Sequence, residues 1–357
     1  MAVASAEIIG TGLVFVRDDT GLDTPCLIVD EAILTRNITG MAAFAAEHSV
    51  ALRPHIKTHK TPEIARLQLK AGAIGLTCAK LGEAEVMVHE AGTRDILLAY
   101  PTVGEPKIAR LIALMDHAQV TVALDSREAA RALGQAMTAA GKTLNVYVEV
   151  NTGQDRAGAR FGDEAVALAK DLAKIDGLSV VGVMTHEGQA NSSEPDQIEA
   201  VALQAGKDIV ATANAIRAAG IDLQVVSVGS TPAASYTPTV PGVTEMRPGT
   251  YVFNDNTAFR YGKVGPENCA LHILATVISR PAPDRAVIDA GSKTLTMDPT
   301  KSHPGHGYIL GHPNATIARI SEEHGVVLLP ENDAGFEVGD RVEIIPNHVC
   351  PSVNLQD

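Results

Sequence analysis

The chain is short of cysteine, of aromatic side chains and of cations, and each shortage narrows what it can be. Four cysteines, Cys26, Cys78, Cys269 and Cys350, are scattered through 357 residues, and none forms a C-x-x-C pair. That is too few for a disulfide framework, and a reducing cytoplasm is the expected setting. Lys and Arg number 29 against 42 Asp and Glu, a formal charge of -13. Nucleic acid and anionic membranes would be repelled at long range, so neither is an expected partner. No run is long and uncharged enough to cross a bilayer, and the opening MAVASAEIIGTGLVFVRDD places no positively charged leader before its apolar stretch. The expectation is a soluble, unsecreted, cytoplasmic protein. With 45% hydrophobic and only 3% aromatic residues, no internal repeat and no low-complexity tract, collagen-like and disordered readings are excluded. The length suits one large domain plus a smaller one.

From residue 51 to about 255, short apolar or β-branched runs alternate with alanine-rich helical stretches. This is the pattern of parallel strands joined by crossover helices. The predicted strands are Leu52 to Lys57, Ile74 to Lys80, Asp95 to Tyr100, Val120 to Asp125, Leu144 to Val150, Ser179 to Thr185, Leu223 to Val228 and Thr244 to Met246. Eight such units predict a closed (β/α)8 barrel of the TIM type, with an open doubly wound sheet as the alternative. After Asn268 the texture changes to strand and turn: LHILATVISR, DRAVIDAG, ATIARIS, EHGVVLLP and GDRVEIIP. We read this as a C-terminal all-β domain completed by the N-terminal strand Pro25 to Val29. The expected division is 31–265 for the barrel and 1–30 plus 266–357 for the β domain.

In such a barrel the functional residues lie on the loops that follow the strands. The first loop is Arg53-Pro54-His55-Ile56-Lys57-Thr58-His59-Lys60. A lysine at a strand mouth, partly desolvated, can be neutral often enough to attack a carbonyl, and Lys57 fits; the alternative is a solvated basic patch shared with His55, His59 and Lys60. Arg156, after the fifth strand, and His186, after the sixth, face the same mouth if the strand count is right. There they could hold an anionic ring oxygen and pack on a flat heteroaromatic ligand. The seventh and eighth loops, Gly229-Ser230-Thr231-Pro232 and Arg247-Pro248-Gly249-Thr250-Tyr251, are small, hydroxylic and glycine-bearing. Jointly they suit a phosphate; singly each would be a tight turn. In Pro346-Asn347-His348-Val349-Cys350-Pro351, an extended backbone would put His348 and Cys350 on one side, an imidazole–thiolate pair suited to zinc.

Taken together, D-T-P-C-L-I-V-D (Asp23 to Asp30), R-P-H-I-K-T-H-K (Arg53 to Lys60), the Arg156 loop, T-H-E-G (Thr185 to Gly188), V-G-S-T-P (Val228 to Pro232), R-P-G-T-Y (Arg247 to Tyr251), S-E-E-H-G (Ser321 to Gly325) and P-N-H-V-C-P resemble the D-threonine aldolase and D-serine dehydratase family. These are fold-type III pyridoxal-phosphate enzymes built like alanine racemase. The resemblance implies that Lys57 holds the cofactor as an imine and takes the Cα proton. It implies that Arg156 faces the phenolic oxygen, that His186 lies by the ring, and that Ser230, Thr231, Gly249 and Thr250 help hold the phosphate. His348 and Cys350 would carry a divalent metal, zinc first, with manganese or magnesium as alternatives. It further implies a homodimer with its active site at the interface and a small D-amino acid as substrate.

Two departures from the family pattern stand out. Gln189-Ala190-Asn191 follows T-H-E-G where an aromatic side chain is expected, and a further short tail is expected beyond Asp357. The reaction implied is a metal-assisted lyase reaction on D-3-hydroxy amino acids. Dehydration to a 2-oxo acid and ammonia comes first, because the family's dehydratases pair His with Cys while its aldolases tend to pair His with Asp. Retro-aldol cleavage to glycine and an aldehyde is the alternative. A racemase, which would need Tyr261 or Tyr308 as a second base, and a non-catalytic cofactor carrier are the remaining readings.

Overall fold

The structure is a computed structural model that describes residues 7–9, 13–15, 21–262, 264–330 and 336–356. The chain divides into two compact units, Thr39–Gly249 and Met1–Ile38 with Thr250–Asp357.

The first unit holds all eight expected parallel strands: Ala51–Leu52, Leu76–Cys78, Asp95–Leu98, Gln119–Leu124, Leu144–Asn151, Leu178–Met184, Val225–Val228 and Glu245–Met246. Each pairs in parallel with its neighbour, and the first with the last. The ring closes where His55 bridges Thr77 and Thr77 N donates to Pro54 O at 2.8 Å. The result is a TIM-type barrel of parallel strands. Helices lie between the strands where expected; Arg127–Ala139, for example, is capped by Ser126, whose Oγ accepts from Ala129 N at 3.2 Å.

The period of two divides each strand between two environments. Ile96, Leu98, Val122, Leu124, Val146, Val148, Val226 and Met246 belong to the large core shared with helix residues such as Leu111, Leu133, Leu168 and Ile209. The alternate positions form a separate small cluster of Leu97, Ala123, Tyr147 and Met184, with charged Asp95, Glu149 and Glu245 at the same parity. The inner face of the barrel thus combines a small apolar cluster with charged groups.

The first strand is shorter than the predicted Leu52 to Lys57. Pro54 has no N–H to donate to a ladder, and the chain turns into a 3₁₀ helix, Ile56–Thr58. Lys57 therefore sits on a turn beyond the strand.

In the second unit, Leu271–Ala282 pairs antiparallel with Cys26–Val29, Arg285–Ile288 and Arg341–Ile345. Gly325–Leu328 and Thr316–Ile320 extend the sheet beyond Arg285–Ile288. The N-terminal strand completes the β sheet, as the sequence predicts. Among the described residues four short strands went unpredicted: Glu7–Ile9, Leu13–Phe15 and Tyr308–Ile309 here, and Ala159–Arg160 in the first unit.

Candidate active site

Three loops meet at the mouth of the barrel. His55 N donates to Pro248 O at 2.9 Å, tying the first loop to the eighth, and Gly249 N donates to Thr231 Oγ1 at 3.3 Å, tying the eighth to the seventh. Gly249 is buried; a Cβ there would lie 3.3 Å from both His55 O and Thr58 Oγ1. Ser230 is also buried, with Oγ accepting from Ala233 N at 3.4 Å. Thr250 opens a 3₁₀ turn, Thr250–Val252.

Lys57 is half-buried, and among the described residues its amine has no hydrogen-bond or ion-pair partner. Its own N–H donates to His55 Nδ1 at 3.3 Å. Burial, with help from Lys57 and Arg247, holds the His55 imidazole well below its usual range, so it is neutral. His186 behaves alike: burial first, then the charges of Lys57, Arg156 and Arg247, push it down to about 3. Its Nδ1 lies 2.7 Å from Gly229 O, so Nδ1 carries the proton and Nε2 is bare. Arg156 is exposed on the loop after the fifth strand, near enough to His186 for its charge to be felt.

The solvated basic patch considered above does not form. His59 is fully buried, accepts from Thr61 N at 3.0 Å through Nδ1, and therefore donates to Gln68 Oε1 at 3.2 Å through Nε2. Burial lowers it to about 4. Lys60 pairs with Glu83 at 3.3 Å. Of the four side chains of that patch, Lys57 is the one left with a half-buried amine and no partner among the described residues.

Below the mouth lies a network that sequence reasoning missed. Arg53 donates to Glu245 Oε2 at 2.7 Å and to both oxygens of Asp95 at 2.7 and 3.1 Å. Glu245 also accepts from Ser227 Oγ at 2.6 Å. Arg247 reaches Ser227 Oγ and donates to Thr185 O at 2.7 Å. Thr185 Oγ1 and Thr152 Oγ1 are 2.7 Å apart, joining the fifth and sixth loops. A usable signal existed: Arg53 and Arg247 each stand directly after a strand and directly before a proline, in motifs already singled out.

In the second unit, His348 is the cap residue of a short helix, Val349–Asn354, so the expected extended segment is absent and Cys350 lies in the first helical turn. Pro351 helps to start this turn, being acceptable early in a helix and not in a central strand. The two side chains still meet, since the His348 imidazole is raised by hydrogen bonding with Cys350 and Asp298, against its burial. His348 Nδ1 lies 2.5 Å from Asp298 Oδ2. Buried Asn347 braces this corner, donating to Asp298 O at 3.1 Å and Gly305 O at 2.9 Å. Among the described residues, no group of three or more His, Cys, Asp and Glu side chains forms a metal cage. Tyr308 packs edge-on against Phe259 and His303. The Tyr261 side chain lies outside the described residues.

Comparison with known proteins agrees with this architecture. Residues 29–257 match the alanine racemase N-terminal domain family, and residues 270–357 match the serine dehydratase domain. The chain is 36% identical to a D-threonine aldolase of an Arthrobacter species, over 94% of this chain and 88% of the relative. It is 34% identical to a D-threo-3-hydroxyaspartate dehydratase of a Delftia species, over 92% of this chain and 91% of the other. A solved D-threo-3-hydroxyaspartate dehydratase, a cysteine-to-alanine mutant in the metal-free form, superposes with a TM-score of 0.87 at 32% identity, covering 94% of this chain and 93% of that one. Among the described residues, no helix is long and apolar enough to cross a membrane. With both segments matched in order and relatives aligned along nearly its whole length, the chain belongs to the D-threonine aldolase and D-serine dehydratase family of alanine-racemase-like, fold-type III pyridoxal-phosphate enzymes.

Proposed function

We propose that the chain is a pyridoxal-phosphate-dependent lyase acting on D-3-hydroxy amino acids, and that it dehydrates them to a 2-oxo acid and ammonia. The observation that carries this reading is the Lys57 amine, half-buried and without a partner among the described residues, whose charge is felt by two imidazoles held neutral by burial.

The residues present fit the cofactor. A buried glycine, Gly249, lies where a side chain would crowd His55 and Thr58, and it stands beside the Ser230 and Thr231 hydroxyls. These groups suit a phosphate, with Thr250 following directly in the chain. Pyridoxal phosphate, when bound, supplies an electron sink for charge left on a substrate Cα. Lys57 has the free amine needed to attach the cofactor's aldehyde and to exchange a proton at Cα. His186, neutral and bare at Nε2, offers a flat face without a competing charge. Arg156 is the cation that would face an anionic ring oxygen.

His348 and Cys350 form a two-donor set for a divalent ion, zinc first. The contact of His348 with Asp298 is the carboxylate–histidine pairing that orients metal-binding imidazoles. Manganese or magnesium would be poorer matches to a thiolate. Such an ion would polarise a substrate β-hydroxyl as a Lewis acid. A homologous dehydratase has been solved as a cysteine-to-alanine mutant in a metal-free form, so a metal-bearing form of that protein is known. Here Cys350 is the cysteine paired with a histidine. The D preference and the homodimer belong to the same proposal.

The second reading is retro-aldol cleavage, favoured by the 36% identity to a D-threonine aldolase. Product analysis with D-serine and D-threonine separates the two. Pyruvate or 2-oxobutanoate with ammonia is expected; glycine with acetaldehyde would transfer the assignment to the aldolase. Borohydride reduction of the yellow holoprotein followed by peptide mass spectrometry should place the cofactor on Lys57. A colourless protein, or an adduct elsewhere, overturns the whole reading.

A further inference from the structure

Glu187 is the one residue of T-H-E-G that is fully buried, carries a carboxyl group and has no role in the reading above. It stands after the sixth strand. Its Oε2 accepts from Gly229 N at 3.0 Å, while Oε1 is buried with no hydrogen-bond partner among the described residues. A buried carboxyl left half-satisfied is costly, and it persists where its other oxygen does something the fold requires.

What that oxygen does is visible in the Gly229 peptide. Its N–H is held by the Glu187 carboxyl. Its C=O accepts from His186 Nδ1 at 2.7 Å and from Glu187 N at 3.3 Å. Three hydrogen bonds, all from two consecutive residues, therefore orient the first residue of the G-S-T-P loop. The approach is close: a Cβ on Gly229 would lie 3.1 Å from Arg247 Cβ, so the buried arginine packs directly on the peptide. One residue on, Ser230 Oγ is 3.4 Å from Glu187 O.

We propose that Glu187 is a positioning residue: its carboxyl group fixes the peptide that enters Gly229, and through the Gly229 backbone both the carbonyl that sets the Nδ1–H tautomer of His186 and the pose of the Ser230–Thr231 loop. The first consequence belongs to the protein alone. The second rests on the reading of that loop as the cofactor's phosphate cradle. Shape matters here more than charge, since burial raises the Glu187 carboxyl to about 7. A glutamine would offer the same acceptor to Gly229 N–H and should substitute for it.

Full-length protein prepared without cofactor and labelled with ¹⁵N-histidine gives the tautomer from its ring-nitrogen shifts, with His186 assigned by His186→Asn. Wild type and Glu187→Gln should both show Nδ1–H at His186, and Glu187→Ala should show a mixture or Nε2–H. Titration with pyridoxal phosphate, read by absorbance, should give a half-saturating concentration about tenfold higher for Glu187→Ala, the loss of roughly one hydrogen bond, and within about threefold of wild type for Glu187→Gln. If Glu187→Ala lacks the wild-type circular dichroism spectrum, Glu187→Asp, one methylene too short to reach Gly229 N, takes its place with the same expectations. The proposal is overturned if the alanine or aspartate variant keeps both the tautomer and the affinity, if only one of the two changes, or if glutamine fails as badly as alanine. Should wild type not bind pyridoxal phosphate at all, the functional reading falls, and the tautomer series still decides whether Glu187 holds Gly229.

Discussion

Replacing Arg53 by methionine should destabilise the barrel by an amount set almost wholly by one carboxylate. Arg53 is 5% exposed and holds two partners of unlike circumstance. The side chain of Asp95 is 28% exposed and can rehydrate when its cation is removed, whereas that of Glu245 is 2% exposed and cannot. Glu245 would keep Ser227 Oγ at 2.6 Å and the Tyr147 hydroxyl at 3.5 Å, but no cation in direct contact. Removing one partner of a buried pair costs about 3–5 kcal/mol. Glu245→Gln alone leaves Arg53 bidentate on Asp95 and should cost only about 1.5–3 kcal/mol, the worth of a charge-assisted hydrogen bond. The double variant Arg53→Met/Glu245→Gln removes both charges and should be more stable than Arg53→Met, recovering about half of the loss. Urea unfolding followed by circular dichroism, with midpoints and slopes compared, measures all three. The reasoning fails if Arg53→Met lies within about 1 kcal/mol of wild type, the scale of an exposed pair, or if adding Glu245→Gln makes it worse.

Other outcomes follow from the same geometry. His59 is neutral when folded, at about 4, and takes a proton near 6.5 when unfolded, so acid favours the unfolded chain. The stability of wild type relative to His59→Leu should therefore fall by roughly 1.4 kcal/mol per pH unit between pH 6.5 and 4; a constant difference across that range would show that His59 is not buried neutral. Thr231→Val removes the acceptor for Gly249 N and should weaken binding of pyridoxal phosphate about tenfold while leaving pyridoxal, which lacks the phosphate, nearly unaffected. Equal losses for both compounds would place the phosphate elsewhere. His348→Ala and Cys350→Ala should each abolish copurifying divalent metal, measured by plasma mass spectrometry, with the circular dichroism spectrum unchanged. Retention of metal in both variants would remove the ion from this corner of the protein.

Much of the candidate site was legible because its residues follow strands, and strands announce themselves by period and by the glycines and prolines that end them. All eight barrel strands lie where apolar alternation puts them, and the loops at their ends carry Lys57, Arg156, His186 and Thr231. The T-H-E-G motif was legible as well, yet the duty of Glu187 was not. Its partner, Gly229, is 42 residues away in sequence and its hydrogen bond involves a backbone N–H, which no residue type advertises. The same limit hid the Arg53–Glu245 pair, 192 positions apart.

Local chemistry can be read from the chain because it acts over a few residues: Pro54 ends a strand, Ser126 starts a helix, and a lysine beside two histidines is noticed wherever it stands. Amino-acid order was thus enough to predict a barrel with an added β sheet and to single out Lys57 as the candidate amine. Protonation and partnership needed the folded molecule, because they depend on which groups are withdrawn from water together. His55, His59 and Lys60 read as one basic patch on paper, and burial and Glu83 take them out of it. Lys57 is left as the amine without a partner among the described residues, a distinction made by desolvation and distance, neither of which a linear string contains.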